Sequence, residues 1–141
     1  MFSIIYALKV AKEYYNEDTF HHTMRVAGNV SQSDRIPKDQ MKNSIILAIM
    51  HDLLEDTDFQ LTIKPVTDEE EYYVNLCLKL LTRNKNDNSY EQYLKKIKEN
   101  FNRYPEAYWV KMSDIKDHLE QSATLTDNLK EKYLKGLPYL L

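Results

Sequence analysis

The stretch IILAIMHDLLEDTD, residues 45–58, lies at the centre of the predicted fold. It opens with six apolar residues and has no internal Gly or Pro, a pattern that predicts a helix buried on most sides. His51, Asp52, Glu55 and Asp56 then follow within six positions. On a continuous helix, residues four apart share a face, so His51 would lie above Glu55 and Asp52 above Asp56. An imidazole and three carboxylates are costly to bury. A divalent cation would compensate them, because it supplies positive charge and accepts both nitrogen and oxygen ligands.

The same four polar residues also fit a simpler structure, in which the last turn of a buried helix emerges into solvent. A His-Asp dipeptide occurs by chance in many chains, so this stretch alone does not separate the two interpretations. The rest of the chain has to supply further ligands at suitable positions.

Length and composition are those of one domain, residues 1–141, with a substantial core. The chain is 43% apolar and 29% charged, which is typical of a soluble globular protein. No run approaches the roughly 18 apolar residues of a membrane span, and the N-terminus lacks the pattern of a secretory signal. The single cysteine, Cys77, lies in an apolar helical pattern, so we predict core packing and a cytoplasmic location rather than a disulfide scaffold.

Charge and glycine content disfavour other functional classes. A formal net charge of −3 argues against nucleic-acid binding, which usually needs a basic face. With only two glycines, the chain has neither a P-loop nor a dinucleotide-binding fingerprint. We therefore expect a small-molecule partner rather than nucleic acid or a membrane. The sequence makes no prediction of the oligomeric state.

The periodicity predicts an all-α fold of six or seven helices, with no strand pattern of period two. Capping residues support the helix starts: Thr67 or Asp68 before the fourth helix, Ser89 before the fifth, and Pro105 at the opening of the sixth. The predicted helices cover residues 2–15, a segment from about residue 19, the central stretch after Pro37, and residues 69–81, 90–101, 105–122 and 127–134.

Two further polar residues lie in apolar helical settings and extend the central cluster, namely His22 and Asp114. Together with the pair His51-Asp52 they would give two histidines and two aspartates from three helices to one divalent metal. A mixed nitrogen and oxygen set without thiolate suits Mn, Fe or another octahedral ion better than a structural zinc. Water bound to such a metal loses its proton near neutral pH, and a neighbouring carboxylate can accept or relay that proton.

This H…HD…D order resembles the HD-domain metal-dependent phosphohydrolases, and within them the Rel/Spo-type alarmone hydrolase domains and their small single-domain relatives. HHTMRVA (residues 21–27) resembles an H-x-x-x-V-A segment, which aligns His22 with the first ligand. MHDLLEDTD (50–58) resembles the L-H-D-x-x-E-D-T segment. LLTRNKNDNSYEQYLKKI (80–97) resembles an L-T-(R/K) stretch followed by a Y-x-x-Y helix, and WVKMSDIKDHLEQ (109–121) resembles V-K-L-A-D-x-x-x-N.

The resemblance, which runs from about residue 20 to the C-terminus, implies roles for these residues. Glu55 and Asp56 would position or deprotonate the attacking water. The relatives remove a pyrophosphate from the 3′ position of guanosine tetra- or pentaphosphate, (p)ppGpp. The implied ligands of the metal, typically Mn²⁺, are His22, His51, Asp52 and Asp114.

Two departures from the family pattern concern the substrate. The relatives usually carry a basic segment, H-x-G-Q-x-R-K-x-G-x-P-Y, before the first ligand, whereas this chain has no Arg or Lys between Lys12 and Arg25. His118 occupies the position of the usual Asn, four residues after Asp114. By position or by charge, we predict four substrate contacts: His118, Gln121, Arg25 and Arg83.

Three functions remain open on the sequence. The favoured one is a metal-dependent phosphohydrolase, with (p)ppGpp as the first substrate and other nucleotides as the second. The runner-up is a binding module that keeps the metal and senses or sequesters a nucleotide without turnover. A helical adaptor without a metal would require the order of the four ligands to be a coincidence.

Overall fold

The structure, a computed structural model, describes residues 2–61, 68–86 and 88–141. Those residues form helices and no strand, which confirms the predicted all-α fold. Within these described ranges, seven helices have at least 10 residues and one, α4, has only 4. No helix among these residues combines the length and apolar character that crossing a bilayer requires. The helices are α1 (Ile4–Tyr14), α2 (Glu17–Ser31), α3 (Lys38–Met50), α4 (Leu53–Asp56), α5 (Glu69–Leu81), α6 (Tyr90–Glu99), α7 (Pro105–Glu120) and α8 (Asp127–Gly136).

Side-chain caps fix several helix starts where the sequence predicts them. Asp68 accepts hydrogen bonds from the backbone N–H groups of the first turn of α5, while the alternative cap, Thr67, lies outside the described residues. Ser89 caps α6 in a reciprocal capping box with Gln92. Pro105 occupies the first turn of α7. The Asp68 and Ser89 side chains satisfy backbone donors that their helices leave unpaired, whereas Pro105 has no backbone N–H to satisfy. These boundaries therefore follow from local chemistry.

Helix α3 is the centre of the molecule and packs against α1, α2, α5 and α7. Five consecutive residues at its C-terminal end, residues 46–50, are all buried. A helix can bury consecutive residues only when neighbours surround it, as the apolar run predicts. The mutual packing of α2, α3 and α7 brings together the three segments that carry the predicted ligands.

The prediction of one continuous helix through residues 45–58 is wrong. Helix α3 ends at Met50, His51 and Asp52 form a turn, and α4 begins at Leu53. Tyr15, at the end of α1, accounts for the interruption: its hydroxyl donates to the carbonyl oxygen of Ile49 at 2.8 Å and accepts from the backbone N–H of Asp52 at 3.2 Å. A side chain inserted in this way replaces the helical hydrogen-bond ladder.

The C-terminal helix α8 packs against α6 and α7. Gly136 permits a close approach to α6, since a Cβ atom there would lie 2.6 Å from Leu94 and 2.8 Å from Tyr90. The chain then continues into a short 3₁₀ helix, Leu137–Tyr139. This packing places the N-terminal turn of α6 and the middle of α8 side by side.

Candidate metal centre and adjoining cavity

Four predicted ligands converge at the junction of three elements. Asp114 Oδ1, on α7, lies 2.8 Å from Nε2 of His22 and 3.2 Å from Nε2 of His51. The Asp52 carboxylate oxygens lie 3.6 Å from Nε2 of His22 and 3.4 Å from Nε2 of His51. We call this set the His–Asp cluster; its members are His22, His51, Asp52 and Asp114.

Hydrogen bonds on the far side of each imidazole fix its orientation. Nδ1–H of His22 donates to Asp117 at 2.8 Å, and Nδ1–H of His51 donates to the carbonyl oxygen of Ala48 at 2.6 Å. Arg25 holds Asp117 in turn through Nε and Nη2, at 2.9 and 3.1 Å. Both histidines therefore present Nε2 toward Asp114, the arrangement in which an imidazole serves as a metal ligand.

The carboxylate of Asp114 is divided between two kinds of partner. Lys111 donates to Oδ2 at 2.8 Å, which leaves Oδ1 to the imidazoles. Burial alone would raise the pKa of Asp114, but the Lys111 ammonium and hydrogen bonds from three histidines hold that pKa well below its usual range. Burial lowers the pKa of Lys111, and the Asp114 charge outweighs it, so that pKa is raised well above its ordinary value. Both groups are charged in the buried pair.

The neighbouring carboxylates also raise the pKa values of the two imidazoles. Burial lowers the pKa of His51, yet the charges of Asp52 and Asp114 raise it to about 9. The pKa of His22 is also raised, because hydrogen bonding to Asp114 and the Asp114 charge outweigh its burial. The two Nε2 atoms therefore lie in a strongly negative potential, which is the electrostatic condition that a cation site requires.

The predicted catalytic carboxylates, Glu55 and Asp56, lie on α4 directly after the cluster and are exposed. Glu55 Oε1 accepts a hydrogen bond from the backbone N–H of Arg83, which ties α4 to the segment after α5. Although Asp56 is exposed, the surrounding protein partly desolvates its carboxylate, and this desolvation and the charges of Asp52 and Glu55 raise its pKa. Asp56 is thus a better proton acceptor than an ordinary surface aspartate.

A cavity of about 510 Å³ adjoins the cluster and is lined by nine of the ten predicted site residues. The exception, His51, is 4% exposed and does not belong to the cavity lining. Among the predicted substrate contacts, Arg25 is already engaged by Asp117, and Arg83 Nη2 donates to the carbonyl oxygen of Asn88 at 3.3 Å. Gln121, the C-cap of α7, lies on the cavity wall.

His118 lies closer to the metal centre than its predicted role as a substrate contact implies. Its Nε2 is 3.3 Å from Asp114 Oδ1, and its ring stacks on Tyr133 with centroids 4.9 Å apart. With His22 and Asp114 it forms a group whose ligand atoms lie within 4.8 Å of one another. His118 therefore has two candidate roles, as a fifth ligand and as a substrate contact.

Sequence reasoning missed two residues that organise the centre, Lys111 and Asp117. Both lie three positions from Asp114 on α7, and residues three apart on a helix share a face. That spacing was the available signal. Lys132, on α8, also lines the cavity, and nothing in its local sequence marks it.

The donor set fits a divalent cation. A second group of ligand atoms within 4.8 Å of one another comprises His22, His51 and Asp52. Two oriented imidazole nitrogens with carboxylate oxygens and no thiolate suit Mn or Fe better than a structural zinc. The residues present could therefore hold a divalent cation.

Comparisons of this chain with models of protein families, with curated proteins and with solved structures find no match.

Proposed function

We propose that this protein is a cytoplasmic metal-dependent phosphohydrolase of the HD-domain type that acts on a phosphorylated nucleotide. Its first candidate substrate is (p)ppGpp, from which it would remove the 3′-pyrophosphate. The observation that carries the proposal is the approach of the Asp52 and Asp114 carboxylates to Nε2 of both His22 and His51. This cluster lies beside a cavity that Glu55 and Asp56 also line. His22 and Asp114 are 92 residues apart in sequence, so it is the tertiary fold that assembles them.

The residues of the His–Asp cluster would hold Mn²⁺ or a related ion. When bound, such a cation supplies two things: a lowered pKa for water and polarisation of a phosphoryl oxygen. Asp117 and the Ala48 carbonyl keep the two imidazoles turned toward that position. Lys111 keeps Asp114 ionised, so one carboxylate oxygen stays available.

Glu55 and Asp56 would manage the proton of the reaction. The oxygen of water would bond to phosphorus while the bond between phosphorus and the 3′ oxygen of the ribose breaks. One proton leaves the water and one reaches the departing 3′ oxygen, and these carboxylates can relay it. The backbone N–H of Arg83 fixes one Glu55 oxygen, which leaves the other free to contact water.

The experiment that tests this function measures phosphate and pyrophosphate release with Mn²⁺ over a panel of nucleotides. The panel contains ppGpp, pppGpp, NADPH, deoxynucleotide mono- and triphosphates and cyclic nucleotides. We expect pyrophosphate from ppGpp and none after His51→Ala. Asp34→Asn, a change at an exposed residue between α2 and α3, should leave the rate unchanged.

Other outcomes have distinct meanings. Turnover of a different nucleotide would retain the metal chemistry and contradict the assignment to (p)ppGpp. No turnover over the whole panel, with Mn²⁺ bound, would contradict the enzyme and favour the nucleotide-binding module. Turnover that is unchanged in His51→Ala would contradict the role of the His–Asp cluster.

A further inference from the structure

Part of the cavity wall is made of cationic side chains that take no part in the proposed metal site or proton relay. Arg83 and Lys85 follow α5, and Lys132 lies on α8. All three line the cavity. None of them forms an ion pair with a carboxylate among the residues the structure describes, unlike Arg25 and Lys111. We call Arg83, Lys85 and Lys132 the cationic wall.

Two members of the wall share one aromatic ring. The Arg83 guanidinium lies 5.6 Å and the Lys132 ammonium 4.6 Å from the ring centroid of Tyr90. Lys111 lies 5.7 Å from the same centroid. Burial and the charges of Lys111, Arg83 and Lys85 lower the pKa of Lys132. These cations therefore repel one another, and the fold holds them together nonetheless.

The same place contains buried polar atoms that have no partner among the described residues. They are the hydroxyl of Tyr90, whose residue is 7% exposed, and Nε of Arg83. Buried donors without acceptors are uncommon and costly, and a bound ion is one of the explanations that such a group calls for. An anion with several acceptor oxygens could both balance the charge of the cationic wall and accept hydrogen bonds from the Tyr90 hydroxyl and Arg83 Nε.

We propose that the cationic wall is a second phosphate subsite, which binds a phosphate group of the substrate other than the one that is hydrolysed. This inference rests on the proposed function for the nature of the substrate. It narrows that substrate to nucleotides with phosphate groups at two separate positions. A cavity of about 510 Å³ has the size typical of small-molecule sites, and guanidinium and ammonium groups are the usual protein partners of phosphate.

The wall also supplies basic charge that residues 13–24, which precede and include the first predicted ligand, lack. No Arg or Lys occurs between Lys12 and Arg25, and Arg25 itself is held by Asp117. The cationic groups of the cavity that no described carboxylate pairs with thus come from the segment after α5 and from α8. The substrate would be held between the His–Asp cluster and this wall.

The test is a calorimetric titration of inorganic pyrophosphate into the protein in EDTA, so that no metal contributes. We expect Lys132→Gln to weaken binding about tenfold, the usual effect of losing one charge-assisted hydrogen bond. The matched control is Lys130→Gln, an exposed residue of the same helix that lines no part of this cavity, which should bind like the wild type. Lys85→Gln, another exposed position, repeats the test without disturbing the core.

Equal affinity in Lys132→Gln, Lys85→Gln and Lys130→Gln would overturn the subsite, as would the absence of pyrophosphate binding to the wild type. This titration measures binding and needs no turnover, so it tests the subsite even if the protein hydrolyses no nucleotide. If turnover is found, Lys132→Gln should raise KM about tenfold for ppGpp with little change in kcat. It should leave KM for a substrate with a single phosphate group unchanged.

Discussion

The His–Asp cluster and the cationic wall share a cavity but differ in how their charges are balanced. In the cluster, Asp114 is paired with Lys111 and with imidazoles, and behind it Asp117 is paired with Arg25 and His22. In the wall, no described carboxylate forms an ion pair with any of the three cations. The first region is organised by the protein itself, and the second would gain its balance from a ligand.

The largest effect should come from Asp114→Asn, which removes the charge at the centre of the balanced region. Lys111 would remain buried without its ion-pair partner, so we expect a loss of about 3–5 kcal/mol in unfolding free energy. Mn²⁺ binding should be abolished, because two imidazoles lose the carboxylate that faces them. Urea denaturation and metal content measure the two effects, with Asp34→Asn as the exposed control. A variant as stable as the control would contradict the described pairing.

Next in size is the effect of the double substitution Glu55→Gln/Asp56→Asn, which leaves the cluster intact. We expect Mn²⁺ binding to persist and turnover to fall by about 10² to 10⁴-fold, the usual contribution of a positioned acid or base. Steady-state kinetics on whichever nucleotide of the panel is hydrolysed, together with metal content, separate the two properties. Full activity in the double variant would contradict the proposed proton relay.

A smaller effect is expected from Asp117→Asn, which weakens the support behind His22 without removing a ligand. The loss of charge relaxes the hold on His22 Nδ1 and on Arg25, so Mn²⁺ affinity should fall about 10- to 100-fold. Calorimetric titration of Mn²⁺ measures this change. An affinity equal to that of the wild type would show that His22 needs no such support.

The smallest effect concerns Glu106, a buried carboxylate on the same helix as Asp114 but outside the cavity. Burial raises the pKa of Glu106 above its ordinary 4.5, although Tyr73 donates to it at 2.8 Å. The folded state therefore holds this proton more tightly than the unfolded state, and stability falls as pH rises from 4.5 through the raised pKa.

Glu106→Gln removes this dependence on pH. We expect the unfolding free energy of the variant, minus that of the wild type, to increase from pH 4 to pH 7 by no more than about 1 kcal/mol. Urea denaturation at both values tests the sign. A relative loss of stability at pH 7 would show that the Glu106 charge is stabilised in the fold.

Local patterns in the sequence predicted much of the fold. The apolar run before His51 identified the buried end of α3, and Ser89 and Pro105 marked the starts of α6 and α7, because these effects act within one or two helical turns. The interruption after Met50 could not be predicted in this way. It depends on Tyr15, which is 34 residues from Ile49 in sequence and reaches it only through tertiary packing.

In the candidate site, too, some residues could be predicted from local sequence and others depend on tertiary packing. His22, His51, Asp52 and Asp114 could be named because polar residues in apolar helices are conspicuous and their order resembles a known pattern. Lys132 could not, since it is one of three lysines in the sequence LKEKYLKG, a pattern that is typical of a solvated helix face. Its position beside Tyr90 depends on the close approach of α8 to α6 at Gly136.

The central claim, that the His–Asp cluster is a metal site, is tested most directly by titrating Mn²⁺ into two variants of adjacent residues. His22 is buried in the cluster, whereas His21 is exposed on the same helix. We predict that His22→Ala abolishes the Mn²⁺ binding of the wild type and that His21→Ala retains it. Equal Mn²⁺ binding by the two variants, or none by the wild-type protein, would contradict the claim.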